Sequence, residues 1–169
     1  GPQFGDEINI VEPGFNSGWE KVQGIWVLNQ MRDKERVLND SSKVVFVDFN
    51  GKGKYSNPEF VWDKSVAPTA LVFLNSNKLG QQYQNDIFVG SVKKGIIYHF
   101  DLNQDRKSLS LDGDLADSIL SKKDDASKII FGKDFGVITD LEVGTDGYLY
   151  VVSSIKETDK GAIYRIVPR

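Results

Sequence analysis

The sequence contains no cysteine, one histidine and one methionine. Without cysteine the chain can form neither a disulfide nor a thiolate metal site, and it cannot use a cysteine nucleophile. It also lacks an apolar run approaching the ~20 residues that a membrane-spanning helix needs. The formal net charge is −3. Because there is no basic excess, the charge pattern argues against nucleic acid or an anionic membrane as a partner.

The start of the chain carries no signal peptide and no initiator methionine, since it opens with Gly1 and Pro2. We therefore expect a fragment or a processed product, with any targeting signal upstream of it. The 169 residues are nevertheless enough for one domain with a sizeable core.

Short apolar runs separated by glycines dominate the chain, and several of them alternate between apolar and polar residues. Such alternation is typical of half-buried strands. Strands are predicted over residues 7–11, 43–48, 60–62, 70–74, 86–90, 95–101, 138–143, 147–152 and 162–167. Asp146-Gly147 predicts a hairpin turn between two of them. Helical spacing is weak, and only residues 115–123 are compatible with two helical turns.

Three successive strand patterns recur roughly 70 residues apart, which is typical of propeller blades. Residues 69–73, 86–89 and 94–100 keep the same order as residues 139–143, 147–152 and 160–166, and the last pair share Lys-Gly-x-Ile-Tyr. The alternative is chance similarity among generic hairpins. The repeat predicts an all-β fold of about three four-stranded antiparallel blades. They would form one partial propeller domain over residues 1–169, with blades near 1–62, 63–125 and 126–169.

Four segments carry a resemblance to a known family. In chain order they are residues 1–9 (GPQFGDEIN) with 16–19 (NSGW), 62–70 (WDKSVAPTA), 86–95 (DIFVGSVKKG) and 139–150 (TDLEVGTDGYLY). Together they resemble the soluble quinoprotein sugar dehydrogenases, the glucose/sorbosone dehydrogenase family. The first segment is similar to the family's G-P-x-x-G-D-E-(I/V)-N followed by N-Y-G-W.

This resemblance implies a six-bladed β-propeller, of which the chain would form the C-terminal half. It also implies an oxidoreductase that oxidises the anomeric hydroxyl of an aldose, with a histidine base and with pyrroloquinoline quinone (PQQ) held on Ca²⁺. The family's base comes from the earlier half of the fold. We therefore expect this chain to lack the catalytic histidine and to be inactive alone. A periplasmic or extracellular location is implied in the same way.

The resemblance assigns four residues to calcium. Gly1 and Pro2 match positions whose backbone carbonyls bind the Ca²⁺ of the cofactor, although Gly-Pro is also a common tag remnant. Asp6 and Glu7 match an acidic pair that contributes to structural Ca²⁺ sites. Adjacent residues of a strand point to opposite faces, so further ligands would have to come from neighbouring loops. Otherwise the pair forms a hydrogen-bonding corner.

Two residues match positions near the quinone. Lys93 aligns with a lysine that contacts the quinone carboxylates, and Trp62 aligns with an aromatic residue near the cofactor. The alternatives are a solvated turn lysine and a core tryptophan. Where the family carries R-x-R-D, residues 137–140 read VITD, and Ser17 replaces the tyrosine of N-Y-G-W. Two guanidinium groups that would hold carboxylates are therefore absent.

The single histidine, His99, lies on the predicted strand 95–101, where alternation places it on one face with Ile97 and Asp101. We interpret it as a structural residue. Residues 101–105 resemble the opening of a calcium loop. Because Arg106 occupies the sixth position in place of glycine, a hairpin loop is predicted there instead.

Two functions remain open. The first is the C-terminal portion of a PQQ-dependent aldose dehydrogenase, with a sugar as substrate when complete. The alternative is a non-catalytic calcium- or glycan-binding propeller segment. A half ring leaves apolar sheet faces uncovered, so we expect either the remaining blades or a second copy as partner. Two copies closing one ring would form a homodimer.

Overall fold

The computed structural model describes residues 3–28, 37–38, 44–122, 124–155 and 160–168. Over these residues the regular structure consists of β-strands and short 3-10 turns, without an α-helix. The all-β prediction is confirmed. No helix among the described residues has the length and apolar character needed to cross a membrane.

Fifteen strands lie within the described residues. In chain order they are β1 (Asp6–Ile8), β2 (Phe15–Asn16), β3 (Val22–Gln23), β4 (Trp26–Val27), β5 (Val37–Leu38), β6 (Lys54–Tyr55), β7 (Phe60–Trp62), β8 (Pro68–Phe73), β9 (Ile87–Ser91), β10 (Ile97–Phe100), β11 (Ile119–Leu120), β12 (Ile130–Gly132), β13 (Val137–Val143), β14 (Leu149–Ile155) and β15 (Lys160–Arg165).

The chain divides into two compact units. The first contains Gly1–Ser65 and Gly113–Asp124, and the second contains Val66–Asp112 and Asp125–Arg169. The predicted blades over 1–62, 63–125 and 126–169 remain a prediction.

The first unit is organised around β7, whose three apolar residues are all buried. Strand β1 pairs with β7 in antiparallel orientation, and β11 pairs with its other edge in parallel. A strand with neighbours on both edges is expected to be apolar throughout when both faces are covered. The same unit contains the sheet β3-β4-β5 and the parallel pair β2-β6.

The second unit contains a four-stranded antiparallel sheet in the order β12-β10-β9-β8 and a three-stranded sheet in the order β13-β14-β15. The hairpin predicted at Asp146-Gly147 is confirmed, because it joins β13 to β14. Gly147 adopts a φ of 80°, and the Gly144 N–H donates to the Tyr148 carbonyl at 2.9 Å. Glycine suits this left-handed backbone position.

The two sheets of the second unit share a core, and β13 packs against β8 and β9. The core consists of Leu74, Leu79, Phe88, Ile97, Ile138, Leu141, Leu149 and Val151. The Thr69 hydroxyl donates to the Ile138 carbonyl at 2.8 Å and so links the sheets directly. Strands β9 and β10 are almost entirely buried, whereas β8 and β15 form the exposed edges.

Two sequence predictions are wrong. Residues 44–48 form no strand, although the run is rich in β-branched residues. Residues 115–123 do not form a helix: Leu115 ends a 3-10 turn and Ile119–Leu120 forms β11. Between them Ser118 adopts a φ of 61°, a left-handed conformation that interrupts any helix.

Gly90 lies at a close contact between the two sheets of the second unit. A Cβ at this position would lie 2.6 Å from Cγ2 of the buried Ile138, whereas a Cβ at Gly161 would lie 3.4 Å from the nearest atom. We expect Gly90→Ala to lower the free energy of unfolding by about 1–3 kcal/mol because of overpacking. Gly161→Ala should change it by less than about 0.5 kcal/mol. Urea denaturation of both variants compares them, and equal stabilities would contradict the close packing at Gly90.

Candidate functional site

The acidic pair predicted from the sequence lies on β1 in the first unit. Asp6 is opposite Trp62 in the β1–β7 register, and Glu7 is opposite Val61. The two Glu7 carboxylate oxygens accept hydrogen bonds from the Asn9 amide at 3.0 Å and from the Gly24 N–H at 2.8 Å. Glu7 therefore holds two loop segments against β1.

Burial raises the pKa of the Glu7 carboxyl, and the negative charge of Asp6 adds to this effect. The hydrogen bonds from Asn9 and Gly24 act in the opposite direction. Because burial outweighs the two hydrogen bonds, the anionic form of Glu7 is under-stabilised. A cation beside it would favour that form.

The position of the Gly24 N–H depends on the absence of a side chain. Gly24 adopts a φ of 57°, and a Cβ there would lie 2.8 Å from Cγ1 of Val61. The turn can therefore approach β7 closely enough to donate to Glu7 only with glycine at this position.

Trp62 lies in the core of the first unit, with 1% of its surface exposed. Its ring contacts Phe60 edge to face, with centroids 5.0 Å apart. A residue so completely enclosed contributes mainly packing energy. The burial favours the core interpretation of Trp62, and its contact with a cofactor remains a prediction.

Lys93 lies in the second unit, in a 3-10 turn over Lys93–Gly95 that joins β9 to β10. The side chain is exposed. The backbone is fixed: the Lys93 N–H donates to the Val66 carbonyl at 3.2 Å, and the Ser91 hydroxyl donates to the Lys93 carbonyl at 3.0 Å. The turn thus presents one ammonium group from a well-anchored backbone.

The Lys93 turn packs on the start of β13. Gly95 adopts a φ of 53°, and a Cβ there would overlap the Gly136 backbone. The Phe135 N–H donates to the Gly95 carbonyl at 3.2 Å. The structure therefore brings the Lys93 turn next to Val137, the first of the two positions at which the family resemblance expects arginine.

Neither of these two positions supplies a charge. Val137 is half-buried, and Thr139 is exposed with its hydroxyl donating to the Val152 carbonyl at 3.2 Å. Among the described residues, the arginines are engaged elsewhere. Arg106 lies over the Phe73 ring, and Arg165 pairs with Asp146 at 3.6 Å.

The remaining predicted ligands, Gly1 and Pro2, lie outside the described residues. The structure places Asp6, Glu7 and Trp62 in one unit and Lys93 in the other. Asp6 and Trp62 are cross-strand neighbours, which the sequence motifs alone did not indicate.

A cluster that the sequence reasoning missed lies at the open end of the β9–β10 hairpin. The His99 Nε2 atom is 2.9 Å from Asp86 Oδ2 and 3.4 Å from Asp101 Oδ1. Phe100 pairs with Ile87, so Asp101 and Asp86 are the next residues along the two strands. The hairpin register was the signal that could have revealed the cluster.

Asp101 is affected by its neighbours in this cluster. Burial raises the pKa of the Asp101 carboxyl, His99 lowers it, and the negative charges of Asp86 and Asp112 raise it further. The structural role predicted for His99 agrees with these contacts. Ile97, however, is fully buried, so the polar face predicted for the strand covers only His99 and Asp101.

Comparison with known proteins identifies the family. The family model described as Glucose / Sorbosone dehydrogenase matches residues 1–165. The aldose sugar dehydrogenase YliI of Escherichia coli K12 is 28% identical over 169 residues, which cover the whole chain and 37% of that protein. The crystal structure of the soluble aldose sugar dehydrogenase of Escherichia coli in its apo form superposes with a TM-score of 0.58 and 26% identity.

That structure is matched over all of this chain and 40% of its own length. A crystal structure of a glucose dehydrogenase has the same fold, with a TM-score of 0.55 at 18% identity over 95% of this chain and 37% of the other. The chain therefore spans less than half the length of the relatives that it matches. Since the family model covers almost every residue, the chain belongs to the glucose/sorbosone dehydrogenase family.

Proposed function

We propose that this chain is the C-terminal portion of a sugar dehydrogenase, an oxidoreductase that acts on an aldose hydroxyl when the protein is complete. The family match over residues 1–165 carries the proposal. We further propose that the sheets are blades of a six-bladed propeller. The three-blade division at 1–62, 63–125 and 126–169 belongs to this proposal. Two strands pair with a strand of the preceding predicted blade, because β11 pairs with β7 and β12 pairs with β10.

The catalytic base should come from outside this chain. Oxidation of a sugar hydroxyl needs a base for the proton and an acceptor for the hydride. His99 is the only histidine in the sequence, and its Nε2 atom faces two carboxylates of its own hairpin. We assign His99 to this hairpin and not to catalysis, because the family resemblance places the base in the earlier half of the fold, and residues 1–169 alone should therefore be inactive.

The described residues do not fit a quinone site on their own. PQQ is a tricarboxylate, which calls for several fixed cations. Lys93 offers one ammonium group, while Val137 and Thr139 occupy the positions of the two expected arginines.

The residues of β1 fit Ca²⁺ better than the described residues fit PQQ. The carboxylates of Asp6 and Glu7 are the hard oxygen ligands that Ca²⁺ prefers. The raised pKa of Glu7 reflects an anion whose burial is incompletely compensated, and a bound cation would stabilise it. Glu7 would hold an ion with further oxygen ligands from neighbouring loops, and Asp6, on the opposite face of β1, would serve a separate Ca²⁺ site.

The partner of the chain is proposed from its exposed apolar side chains. Leu71 and Phe73 on β8 and Ile163 on β15 are substantially exposed. They belong to edge strands that the next blades of a complete ring would cover. The remaining blades are the proposed partner. If a second copy covers these edges instead, light scattering of residues 1–169 would report a dimer. A periplasmic or extracellular location, implied by the resemblance, completes the proposal.

A non-catalytic calcium- or glycan-binding segment is the second candidate. The observation in its favour is the replacement of both arginines by Val137 and Thr139, because guanidinium groups are the usual bidentate partners of carboxylates. Membership of a fold family does not decide between the two candidates.

Turnover separates the two candidates. With PQQ, Ca²⁺ and glucose or another aldose, we expect dye reduction by the complete gene product and none by residues 1–169. The measurement is aldose-dependent reduction of an artificial electron acceptor. Lack of turnover by the folded complete product at saturating cofactor would contradict the dehydrogenase proposal and support the binding segment.

Restoring one guanidinium group tests the quinone argument. Thr139→Arg in the complete gene product should tighten PQQ binding about tenfold, because a hydrogen bond to a charged group contributes roughly 1.5–3 kcal/mol. Thr145→Arg, the same exchange at the exposed β13–β14 turn, is the matched control and should have little effect. Quinone fluorescence titration measures both. Equal affinities in the two variants would contradict a carboxylate site beside β13.

Calcium binding at β1 can be tested by thermal unfolding. Ca²⁺ that binds only the native state should raise the stability by about 2.7 kcal/mol at a hundredfold excess over Kd. We expect Glu7→Gln to remove most of this gain, because it removes one carboxylate ligand. Glu12→Gln, at an exposed position, should retain it. A calcium-dependent shift that survives Glu7→Gln would place the ion elsewhere.

A further inference from the structure

We propose that Asp86, His99 and Asp101 form a binding site for a divalent transition-metal ion, for which Zn²⁺ is the test ion. One ligand atom from each of the three side chains lies within 4.8 Å of the others. This site is separate from the calcium residues proposed on β1 and lies wholly within the second unit.

The three residues converge because the β9–β10 hairpin places them at one end. Asp86 immediately precedes β9, His99 lies within β10, and Asp101 follows it. The backbone of Asp86 is fixed, since its carbonyl accepts from the Leu74 N–H at 2.9 Å. The ring of His99 is held between Phe88 and Tyr83, with centroid distances of 5.0 Å to each.

The distances suit a small metal ion. Two ligands bound to zinc at about 2.05 Å lie about 2.9 Å apart at an angle of 90° and about 3.4 Å apart at 112°. The observed distances from His99 Nε2 to Asp86 and Asp101 are 2.9 Å and 3.4 Å. The 3.4 Å separation is close to that of two tetrahedral ligands, whereas the 2.9 Å contact is shorter, so the Asp86 and His99 side chains would have to move apart slightly to admit an ion.

The local charge also favours a cation. The Asp86 side chain is only 11% exposed, and a buried carboxylate needs a compensating charge. In the part of the chain that the structure describes, no lysine or arginine forms an ion pair with Asp86 or Asp101. One imidazole therefore faces two carboxylates, and Asp112 adds negative charge nearby.

The ligand types select the class of ion. An imidazole nitrogen suits zinc, copper, nickel and iron, whereas calcium and magnesium prefer oxygen ligands alone. Asp101 is 62% exposed at its side chain, so water can reach the ion. Three protein ligands plus water form the open arrangement that zinc adopts in many proteins.

The competing arrangement is a metal-free hydrogen-bonded network, in which His99 donates to Asp86. This network predicts that zinc does not bind saturably and does not perturb the imidazole. The metal site predicts saturable zinc binding and a perturbed imidazole. The two arrangements therefore differ in a direct binding measurement, without reference to activity.

The experiment uses purified protein without a histidine tag, treated with a chelator and then titrated with Zn²⁺ or Ca²⁺ by calorimetry. We expect one zinc ion per chain and binding of Ca²⁺ at least about tenfold weaker. For this measurement the sample is residues 1–169, in which His99 is the only histidine, so nitrogen NMR shows a single imidazole and zinc should shift its Nε2 resonance.

Two variants and a matched control locate the ion. Asp101→Asn and His99→Gln should each lower zinc affinity at least about tenfold. Asp112→Asn removes a neighbouring carboxylate whose side chain is 96% exposed and should change affinity less than about threefold, as for a screened surface charge. Asp101→Asn carries the test if His99→Gln fails to fold, because Asp101 is largely exposed.

Three results would overturn the proposal. They are no saturable zinc binding by the folded protein, binding that is unchanged in Asp101→Asn, and an unshifted His99 resonance at saturating zinc. Calcium binding as tightly as zinc at the same residues would overturn the assignment to a transition metal. Circular dichroism of each variant confirms that the comparison is made on folded protein.

Discussion

The contact between Gly90 and Ile138 determines the arrangement of the second unit. Gly90 lies on β9 and Ile138 on β13, and their packing leaves no room for even one methyl group. The two sheets interlock here because one strand has no side chain at the point where the other presents a branched one. The Thr69 hydroxyl bond to the Ile138 carbonyl reinforces the same contact. Strand β9 is thereby fixed, and the Lys93 turn and the Asp86 carboxylate at its two ends are fixed with it.

Local patterns predicted those strands whose partners lie close in sequence. The hairpin at Asp146-Gly147 follows from turn chemistry. Residues 44–47 are also apolar and mostly β-branched, but Val45 and Val47 are exposed and form no ladder. A strand needs a partner as well as a pattern, and pairing is a non-local property. The same holds for β11, whose parallel pairing with β7 overrides the helical spacing of residues 115–123.

The candidate sites also differ in whether their residues are neighbours in sequence or only in the folded structure. Asp6, Glu7 and Lys93 were found because they occur in contiguous motifs that resemble a family. The cluster of Asp86, His99 and Asp101 was missed because its members become neighbours only through the register of a hairpin. Alternation placed His99 and Asp101 on one face, but it could not supply Asp86 from the adjacent strand. Alternation also fails to predict burial in a strand that is covered on both faces. Ile97 shares a face with His99 but is fully buried.

The contacts that hold the fold of the second unit differ from the side chains that the family resemblance predicts to bind a cofactor. The close fit of Gly95 against Gly136 preserves the turn that carries Lys93 beside β13, so the backbone framework is retained. At the expected arginine positions, however, Thr139 directs its hydroxyl to the Val152 carbonyl and thus serves the sheet. A charged quinone depends on side-chain cations, whereas the fold depends on backbone and core contacts. A change of a few side chains could therefore alter the binding of a carboxylated ligand while leaving the family fold intact.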